Sequence, residues 1–227
     1  MLGNILITGG ASGLGLACAE AVAKAGGRPL VVDVDTPAYD VEYATADLSD
    51  RHQAERAVTE LAERAGGRLD GVVTAAGTDA CGRLDDVPAD RWERVIQVNL
   101  LGTASVVRAA LPYLKASRGK VVTCASTLGL RALSDATAYC ASKFAVVGFT
   151  RALAAELAGQ VGVTLLIPGG MQTHFFDDRD EQYKPGPDAR LNKPEDVAAA
   201  VVFALGQPEG CEVRELVVCP STETSWP

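Results

Sequence analysis

The chain has 227 residues, of which 48% are hydrophobic and 22% are charged, a composition typical of a globular protein with a sizeable core. Its formal net charge of −8 disfavours nucleic acid as a partner, because a phosphate backbone would meet net repulsion. No apolar run approaches 18 residues, and no basic segment precedes the first strand pattern, so we expect a cytoplasmic protein with no membrane partner.

The cysteines and histidines show no metal-binding pattern. The six cysteines include no Cys-x-x-Cys pair, and several lie in apolar runs, which is typical of reduced thiols that pack as small hydrophobic groups. The two histidines, His52 and His174, lie outside any cluster with cysteines or carboxylates. The sequence therefore predicts no metal site.

Apolar runs alternate with helical patterns along the whole chain. Strands are expected at 4–8, 30–34, 42–46, 70–74, 120–125, 162–167 and 213–219. Helices are expected at 14–25, 50–65, 89–117, 137–158 and 194–205, with Pro112 as the point where the third would bend. This alternation predicts a doubly wound α/β fold, a Rossmann-type parallel sheet of about seven strands with helices on both faces, in a single domain over 1–227.

A glycine-rich turn joins the first strand to the first helix. Its residues are Thr8, Gly9, Gly10, Ala11, Ser12, Gly13, Leu14 and Gly15. Such glycines permit a tight turn and let the backbone approach a pyrophosphate, which the helix N-terminus then faces. Taken alone, the turn is equally consistent with a plain connection between a strand and a helix.

Asp33 ends the second strand, 18 residues after Gly15, near the spacing at which a carboxylate accepts hydrogen bonds from an adenosine ribose. Its charge would repel a 2′-phosphate, and neither Ser12 nor Val34 is basic. We therefore expect NAD as the cofactor in preference to NADP. The alternative for Asp33 is a solvated carboxylate at a strand end.

Tyr139 and Lys143 are four residues apart on a predicted helix, so their side chains can share one face. An ammonium group beside a phenol favours the phenolate, and lowering a tyrosine pKa from ~10 by about three units requires roughly 4 kcal/mol. Ser126 follows the strand at 120–125, at the sheet edge where a dinucleotide would lie, and its hydroxyl could hold a substrate oxygen. The alternatives are a surface Tyr/Lys pair and a turn serine.

In this order the motifs resemble those of the short-chain dehydrogenase/reductase family in its compact single-domain form, over Ile5 to Val218. The glycine-rich turn is similar to the cofactor turn of that family. Ser126, Tyr139 and Lys143 match three of its four catalytic residues, and the resemblance implies that Asn99 is the fourth.

The resemblance also implies further cofactor contacts. These are Asp47 and Leu48 at the adenine, Ala75, Ala76 and Gly77 in the turn after the fourth strand, and Pro168, Gly169 and Thr173 at the nicotinamide and its carboxamide. Where the family commonly has two asparagines before Ala-Gly, this chain has Thr74 and Ala75. We expect that departure to affect stability more than chemistry.

These residues predict hydride transfer between NAD(H) and a secondary alcohol or ketone. Tyr139 would be the general acid or base, Ser126 would orient the substrate oxygen, and Lys143 would lower the pKa of Tyr139 and bind ribose. Asn99, by resemblance, would position a water that relays the proton. Two alternatives stay open: a non-catalytic NAD-binding sensor or scaffold, and an NADPH-dependent 3-oxoacyl-type carbonyl reductase, which Asp33 opposes.

The irregular segment at about 171–191 is expected to form a mobile lid over the substrate. It follows a strand that ends at the ligand-binding edge of the sheet, and Phe175 and Phe176 would close it over a modest, mainly apolar pocket. Leu128, Leu130 and Leu133 would form the opposite wall. The alternative is that the two aromatic rings pin the loop to the core.

Subunit contacts are expected from two helices, those at 89–117 and 137–158, because both are rich in Ala and Leu and related proteins pair through them. We therefore expect a homodimer or homotetramer. For residues 224–227 we expect a subunit contact at most.

Overall fold

A computed structural model describes residues 2–224. Within them, seven strands form one sheet: β1 (Asn4–Thr8), β2 (Arg28–Asp33), β3 (Glu42–Thr45), β4 (Gly71–Thr74), β5 (Lys120–Cys124), β6 (Gly162–Pro168) and β7 (Glu215–Val218). All neighbouring strands are parallel, in the order β3-β2-β1-β4-β5-β6-β7. The predicted parallel sheet is confirmed.

Helices cover both faces of the sheet. In the described part of the chain the α-helices are α1 (Gly13–Lys24), α2 (Arg51–Arg64), α3 (Ala89–Ile96), α4 (Thr103–Ser117), α5 (Thr137–Glu156) and α6 (Pro194–Leu205). The apolar cluster on one face joins the sheet to α1 and α6, and the cluster on the other face joins it to α2 and α4. The predicted doubly wound arrangement is therefore also confirmed.

Strand β1 shows why two helical layers are needed. Ile5 and Ile7 pack in the cluster beneath α1 and α6, whereas Leu6 packs in the cluster beneath α2 and α4. All three side chains are at most 1% exposed. Full burial of such a side chain contributes about 1.5–3 kcal/mol, so a strand that is apolar on both sides is stable only between two layers.

The helical run from Ala89 to Ser117 is irregular at a position that the sequence prediction missed. The backbone is π-helical over Gln97–Gly102, whereas Pro112 lies inside the regular helix α4. The wider π-turn places Asn99 at the buried side of the helix, where its side chain bonds the loop after β4. The irregularity in hydrogen bonding therefore lies at Asn99, and α4 continues through Pro112, where the bend stays a prediction.

By length and composition alone, the run Ala89–Ser117 could cross a membrane, with a mean hydropathy of 1.3 over its most apolar 18 residues. Half of that stretch is buried inside the fold. Core helices of soluble proteins pass the same test, so this run gives only weak support for a membrane span. The expected absence of a membrane partner stays a prediction.

The six cysteines are all free, and Cys18, Cys124 and Cys140 are buried, as expected for thiols that pack as small hydrophobic groups. Among residues 2–224, no group of three or more His, Cys, Asp or Glu side chains is placed to hold a metal ion.

The sheet order sets the position of the ligand cleft. The chain turns outward from β1 to β2 on one side and returns to β4 on the other side of β1. At such a switch point the connections leave the sheet in opposite directions, which opens a crevice at the carboxyl ends of the strands. Candidate site residues that follow β1, β4, β5 and β6 therefore converge on one edge.

Candidate active site

A cleft of about 820 Å³ runs along this edge of the sheet. Except for Asn99, the residues predicted to be catalytic or to contact the cofactor line it: Gly9, Ser12, Gly13, Leu14, Gly15, Asp33, Asp47, Leu48, Ala75, Ala76, Gly77, Ser126, Tyr139, Lys143, Pro168, Gly169 and Thr173. Asn99 lies behind the wall of the cleft and is 1% exposed. The carboxyl ends of six strands, β1 to β6, and the loops after them therefore supply one continuous surface.

The glycine-rich turn has the geometry that its sequence predicts. Gly9 and Gly13 adopt positive φ angles of 72° and 53°. A Cβ atom at Gly15 would lie 2.0 Å from the carbonyl oxygen of Gly9, and one at Gly9 would lie 2.8 Å from the backbone of Ala76. Only glycine fits at these two positions, because the clashing atoms belong to the backbone and cannot move aside.

The N-terminus of α1 opens into this cleft. Ser12 occupies the N-cap position, and its side chain makes no capping hydrogen bond. The N–H groups of the first helical turn have no partner within the helix, and together with the helix dipole they favour an anion. The turn and the helix thus fit the pyrophosphate of a dinucleotide.

Asp33 is held at the end of β2 by two backbone groups. Its Oδ2 atom accepts a hydrogen bond from the N–H of Ala11 at 2.8 Å, and its Oδ1 atom accepts one from the N–H of Asp35 at 3.1 Å. These bonds tie the carboxylate to the glycine-rich turn. Because a carboxylate oxygen can accept more than one hydrogen bond, Asp33 can still accept from ribose hydroxyls.

Asp47 lies farther along the cleft and is ion-paired with Arg94, at 3.2 Å, a residue that the sequence motifs did not indicate. Its Oδ1 atom accepts hydrogen bonds from the N–H and the hydroxyl of Ser49. Burial opposes the shift, but the bonds from Ser49 and Arg94 hold the pKa of Asp47 below its usual value. Arg94 also lines the cleft, and its charge is balanced by Asp47.

Ser126, Tyr139 and Lys143 meet where β5 ends and α5 begins. The hydroxyl of Ser126 accepts a hydrogen bond from the N–H of Leu128 at 3.1 Å. The Nζ atom of Lys143 donates to the carbonyl of Cys124 at 2.9 Å and lies 5.5 Å from the ring centre of Tyr139. Lys143 is only 4% exposed. The one-face arrangement inferred from the spacing of Tyr139 and Lys143 is present in the structure.

Burial shifts the pKa of Tyr139 and the pKa of Lys143 toward the neutral forms. It raises the pKa of Tyr139 above its usual value, and a hydrogen bond with Ser126 opposes the shift only in part. Burial also lowers the pKa of Lys143. The expected lowering of the Tyr139 pKa is therefore not found, because desolvation of the phenol is the largest effect and raises the pKa.

The side chain of Asn99 connects the loop after β4 to helix α5. Its Oδ1 atom accepts from the N–H of Thr78 at 2.8 Å, and its Nδ2 atom donates to the Thr78 carbonyl at 2.9 Å and to the hydroxyl of Ser142 at 3.0 Å. Ser142 in turn donates to the carbonyl of Tyr139 at 2.8 Å. The amide thus fixes the loop after β4 against the first turns of α5.

The sequence profile of the family described as short chain dehydrogenase matches residues 3–184. The chain belongs to the short-chain dehydrogenase family. A 2-(S)-hydroxypropyl-CoM dehydrogenase of Xanthobacter autotrophicus is 33% identical in an alignment 226 residues long that covers 88% of this chain and 88% of that protein. An uncharacterized oxidoreductase of Staphylococcus aureus is 31% identical, covering 95% of this chain and 96% of its own.

Solved structures of other dehydrogenases share the fold. An alcohol dehydrogenase of Thermococcus sibiricus, in complex with 5-hydroxy-NADP, matches with a TM-score of 0.82, 27% identity and coverage of 95% of each chain. The aldohexose dehydrogenase of Thermoplasma acidophilum in its ligand-free form has a TM-score of 0.84 at 24% identity, covering 95% of this chain and 92% of that chain. The resemblance inferred from the motifs is therefore confirmed.

In this short-chain dehydrogenase, the segment predicted as a lid leaves and re-enters the fold at one place. Met171 and Asn192 form an isolated parallel bridge, and the N–H of Asn192 donates to the carbonyl of Gly170. Phe175 and Phe176 are half-buried and line the cleft. The segment thus lies where it was expected, and its mobility stays a prediction.

The opposite wall matches its prediction in part. Leu128 and Leu133 line the cleft, but Leu130 packs instead against the small core cluster around Val146 and Ile167. Leu130 directly follows the 3₁₀ turn Thr127–Gly129.

Several cleft residues were missed by the sequence analysis. Besides Arg94, they include Arg179, Tyr183, Lys184, Glu223 and Thr224. The carbonyl of Thr224 accepts a hydrogen bond from Arg131 at 3.0 Å, which brings the C-terminal segment to the cleft. No motif marks these positions. The rest of the predicted C-terminal contact, residues 225–227, lies outside the described residues.

The departure from the family pattern at Thr74 changes the hydrogen bonding at the strand ends. The hydroxyl of Thr74 is buried and has no hydrogen-bond partner within residues 2–224. The link between neighbouring strand ends is made instead by Thr8, whose hydroxyl accepts from the N–H of Ala76 at 3.1 Å. An unpaired buried hydroxyl costs about 1–3 kcal/mol, in line with an effect on stability.

Proposed function

We propose that this short-chain dehydrogenase transfers a hydride between NAD(H) and the reacting carbon of a secondary alcohol or ketone. The observation that carries the proposal is the common position of Ser126, Tyr139 and Lys143 on the wall of the cleft that the glycine-rich turn also lines. The nicotinamide supplies the hydride chemistry, and the protein's groups bind, orient and move the proton.

Tyr139 is the proton donor in reduction and the proton acceptor in oxidation. The hydroxyl of Ser126 accepts the N–H of Leu128 and also hydrogen-bonds Tyr139, so it lies where it can orient the oxygen that exchanges a proton with Tyr139. The raised pKa of Tyr139 keeps the phenol protonated at neutral pH, which is the form that reduction needs. The positive charge of an oxidised nicotinamide would favour the phenolate that oxidation needs.

Lys143 and Asn99 support this chemistry in different ways. One N–H of the Lys143 ammonium is engaged by the carbonyl of Cys124, which leaves two for ribose hydroxyls. Both amide protons of Asn99 are engaged by Thr78 and Ser142, so a water that relays the proton would have to donate to an oxygen of Asn99.

NAD is the proposed cofactor because of the charge at the adenosine end. Asp33 lines the cleft there, and a 2′-phosphate beside its carboxylate would place like charges together. Arg94 is also in the cleft, but its guanidinium is paired with Asp47. These charges oppose the alternative of an NADPH-dependent carbonyl reductase.

A homodimer or homotetramer in the cytoplasm is part of the proposal. Leu101 beside α4 and Phe144 on α5 are 54% and 44% exposed, and Phe203 on α6 is 58% exposed. Exposed large apolar side chains on these helices support association through them. Sedimentation across a range of protein concentrations tests this, and a concentration-independent monomer mass would rule it out.

The proposed activity is tested by NAD-dependent turnover on sterol, polyol, hydroxy-acid and aromatic secondary alcohols. Tyr139→Phe is the matched control, because it removes only the phenolic hydroxyl. We expect turnover on at least one class by the unmodified protein and loss of that turnover in the variant. Tight NAD binding with no turnover across the panel would instead favour the non-catalytic sensor.

A further inference from the structure

Asp79 and Arg179 form an ion pair at the wall of the cleft, with the Nη2 atom of Arg179 2.6 Å from the Oδ2 atom of Asp79. Asp79 lies in the loop after β4, and Arg179 lies in the lid, a hundred residues later. Their side chains are 6% and 18% exposed, the least exposed ion pair among residues 2–224. The pair joins the lid to the framework of the active site.

Arg179 also packs on the aromatic residues of the lid. Its guanidinium carbon lies 5.2 Å from the ring centre of Phe175 and 4.6 Å from that of Phe176, and the two rings meet edge to face. The ring of Phe175 lies 5.7 Å from that of Tyr139. An unbroken series of side-chain contacts therefore connects Asp79 to Tyr139 through Arg179 and Phe175.

At the Asp79 end of this series of contacts, several hydrogen bonds fix the loop after β4. Asp79 accepts hydrogen bonds from the N–H of Ala80 at 2.7 Å and from the thiol of Cys81 at 3.2 Å, and the preceding residue, Thr78, is held on both sides by Asn99. At the other end, Arg179 in the lid has fewer hydrogen bonds. Apart from the bond to Asp79, Arg179 makes a long hydrogen bond of 3.4 Å to the Tyr183 carbonyl, and its buried Nε atom has no partner among residues 2–224.

A buried ion pair is a poor source of net stability, because the loss of hydration offsets most of the attraction. Its directional bonds do define position, and here the positioned group is the aromatic face against Tyr139. We propose that Asp79 and Arg179 are positioning residues that hold Phe175 of the lid against Tyr139 and so shape the substrate site. This inference rests on the proposed function.

The pair also leaves the proton-transfer site electrically balanced. The charge of Asp79 raises the pKa of Tyr139, and the charge of Arg179 lowers it. Removing either charge alone therefore shifts the pKa of Tyr139, in opposite directions, whereas removing both lets the two effects offset each other in part. A purely structural contact would not produce this pattern.

The test uses Asp79→Asn, Arg179→Met and the double variant in the full chain, with Glu181→Gln as the matched control. Glu181 belongs to the exposed ion pair with Lys184 in the same lid. We expect each single variant to lower kcat/KM by at least about tenfold with NAD affinity unchanged, and the double variant to lose no more than the worse single. In pH–rate profiles, the apparent pKa assigned to Tyr139 should fall in Asp79→Asn and rise in Arg179→Met. In the double variant it should return toward the value of the unmodified protein.

Hydrogen exchange of residues 171–191 supplies a readout that needs no turnover. We expect faster exchange in both single variants, unchanged exchange in β1 and β5, and no effect of Glu181→Gln. If exchange rises but no protein turns over, the proposed function has failed and the positioning role stands. Unchanged lid exchange in both single variants would overturn the positioning role.

A direct role of Arg179 in binding an acidic substrate predicts opposite effects of the two variants. Asp79→Asn would then free the guanidinium and tighten the binding of an anionic substrate, while Arg179→Met would weaken it. Opposite effects of the two single variants on kcat/KM, or additive losses of kcat/KM in the double variant, would overturn the proposal. Melting temperatures within a few degrees of the unmodified protein exclude unfolding as the cause of any change.

Discussion

The Nζ atom of Lys143 donates a hydrogen bond to the carbonyl oxygen of Cys124 at 2.9 Å, which ties helix α5 to the last residue of β5. This bond engages the nearly buried Nζ atom beside the ring of Tyr139, and no acidic side chain among residues 2–224 forms an ion pair with it. Burial accordingly lowers the pKa of Lys143 and raises the pKa of Tyr139. These two shifts determine the pH dependence that we expect of the proposed proton transfer.

Tyr139→Phe should lower turnover by at least about 100-fold, because it removes a positioned proton donor, while leaving the packing of the ring against Phe175 in place. The dissociation constant for NAD should change little. Steady-state kinetics and fluorescence titration measure the two quantities. Near-normal rates across pH would assign the proton transfer to another group.

The two reaction directions should respond differently to pH. Since the pKa of Tyr139 is raised, its protonated form persists through neutral pH, and the reduction rate should show no loss from this group until pH exceeds the usual tyrosine value of ~10. The oxidation rate should instead rise with pH, because it needs the phenolate. Rates measured from pH 6 to 10 in both directions, with one buffer ionic strength, test this. An oxidation rate that falls as pH rises would contradict it.

Asp33→Ala should narrow the preference for NAD over NADP, because the carboxylate that would repel a 2′-phosphate is removed. The same change deletes the bond to the N–H of Ala11, so affinity for NAD should also fall. The ratio of kcat/KM for the two cofactors is the measurement. Equal kcat/KM with both cofactors in the unmodified protein would show that Asp33 does not determine a preference for NAD over NADP.

Gly15→Ala should reduce NAD affinity by at least about tenfold, since the new Cβ would meet the carbonyl oxygen of Gly9 at 2.0 Å and force the turn apart. Gly148→Ala is the matched control, because no atom lies within 4 Å of a Cβ at that exposed helical position. The control should bind NAD normally and gain about 0.5–1 kcal/mol in the free energy of unfolding. Calorimetric titration and urea unfolding distinguish the two variants.

Asn99→Ala should lower the free energy of unfolding by about 1–3 kcal/mol, because it leaves the N–H of Thr78 without its acceptor inside the fold. Turnover should fall as well, since Thr78, Ser142 and the backbone of Tyr139 lose a common support. Urea unfolding and kinetics of the same preparation measure both. A loss of turnover with unchanged stability would mean that Asn99 acts on the proton directly and not through these contacts.

The sequence by itself determined the parts of this protein that depend on local rules. Apolar periodicity located the seven strands and the helices to within a few residues, as for α2, predicted at 50–65 and found at Arg51–Arg64. The glycine-rich turn was recognisable because a positive φ is a property of glycine itself. Ser126 could be placed at the ligand-binding edge because it follows a strand of a parallel sheet, and its grouping with Tyr139 came from the resemblance of the motifs to those of the family.

Tertiary structure alone decided the features that depend on distant groups and on burial. Asp79 and Arg179 meet across a hundred residues, with no pattern in the chain that pairs them. The π-helical turn at Asn99 arises where its amide bonds Thr78 and Ser142 from other elements. The direction of the Tyr139 pKa shift follows from desolvation of a half-buried phenol in the cleft, and no spacing of residues reveals that environment.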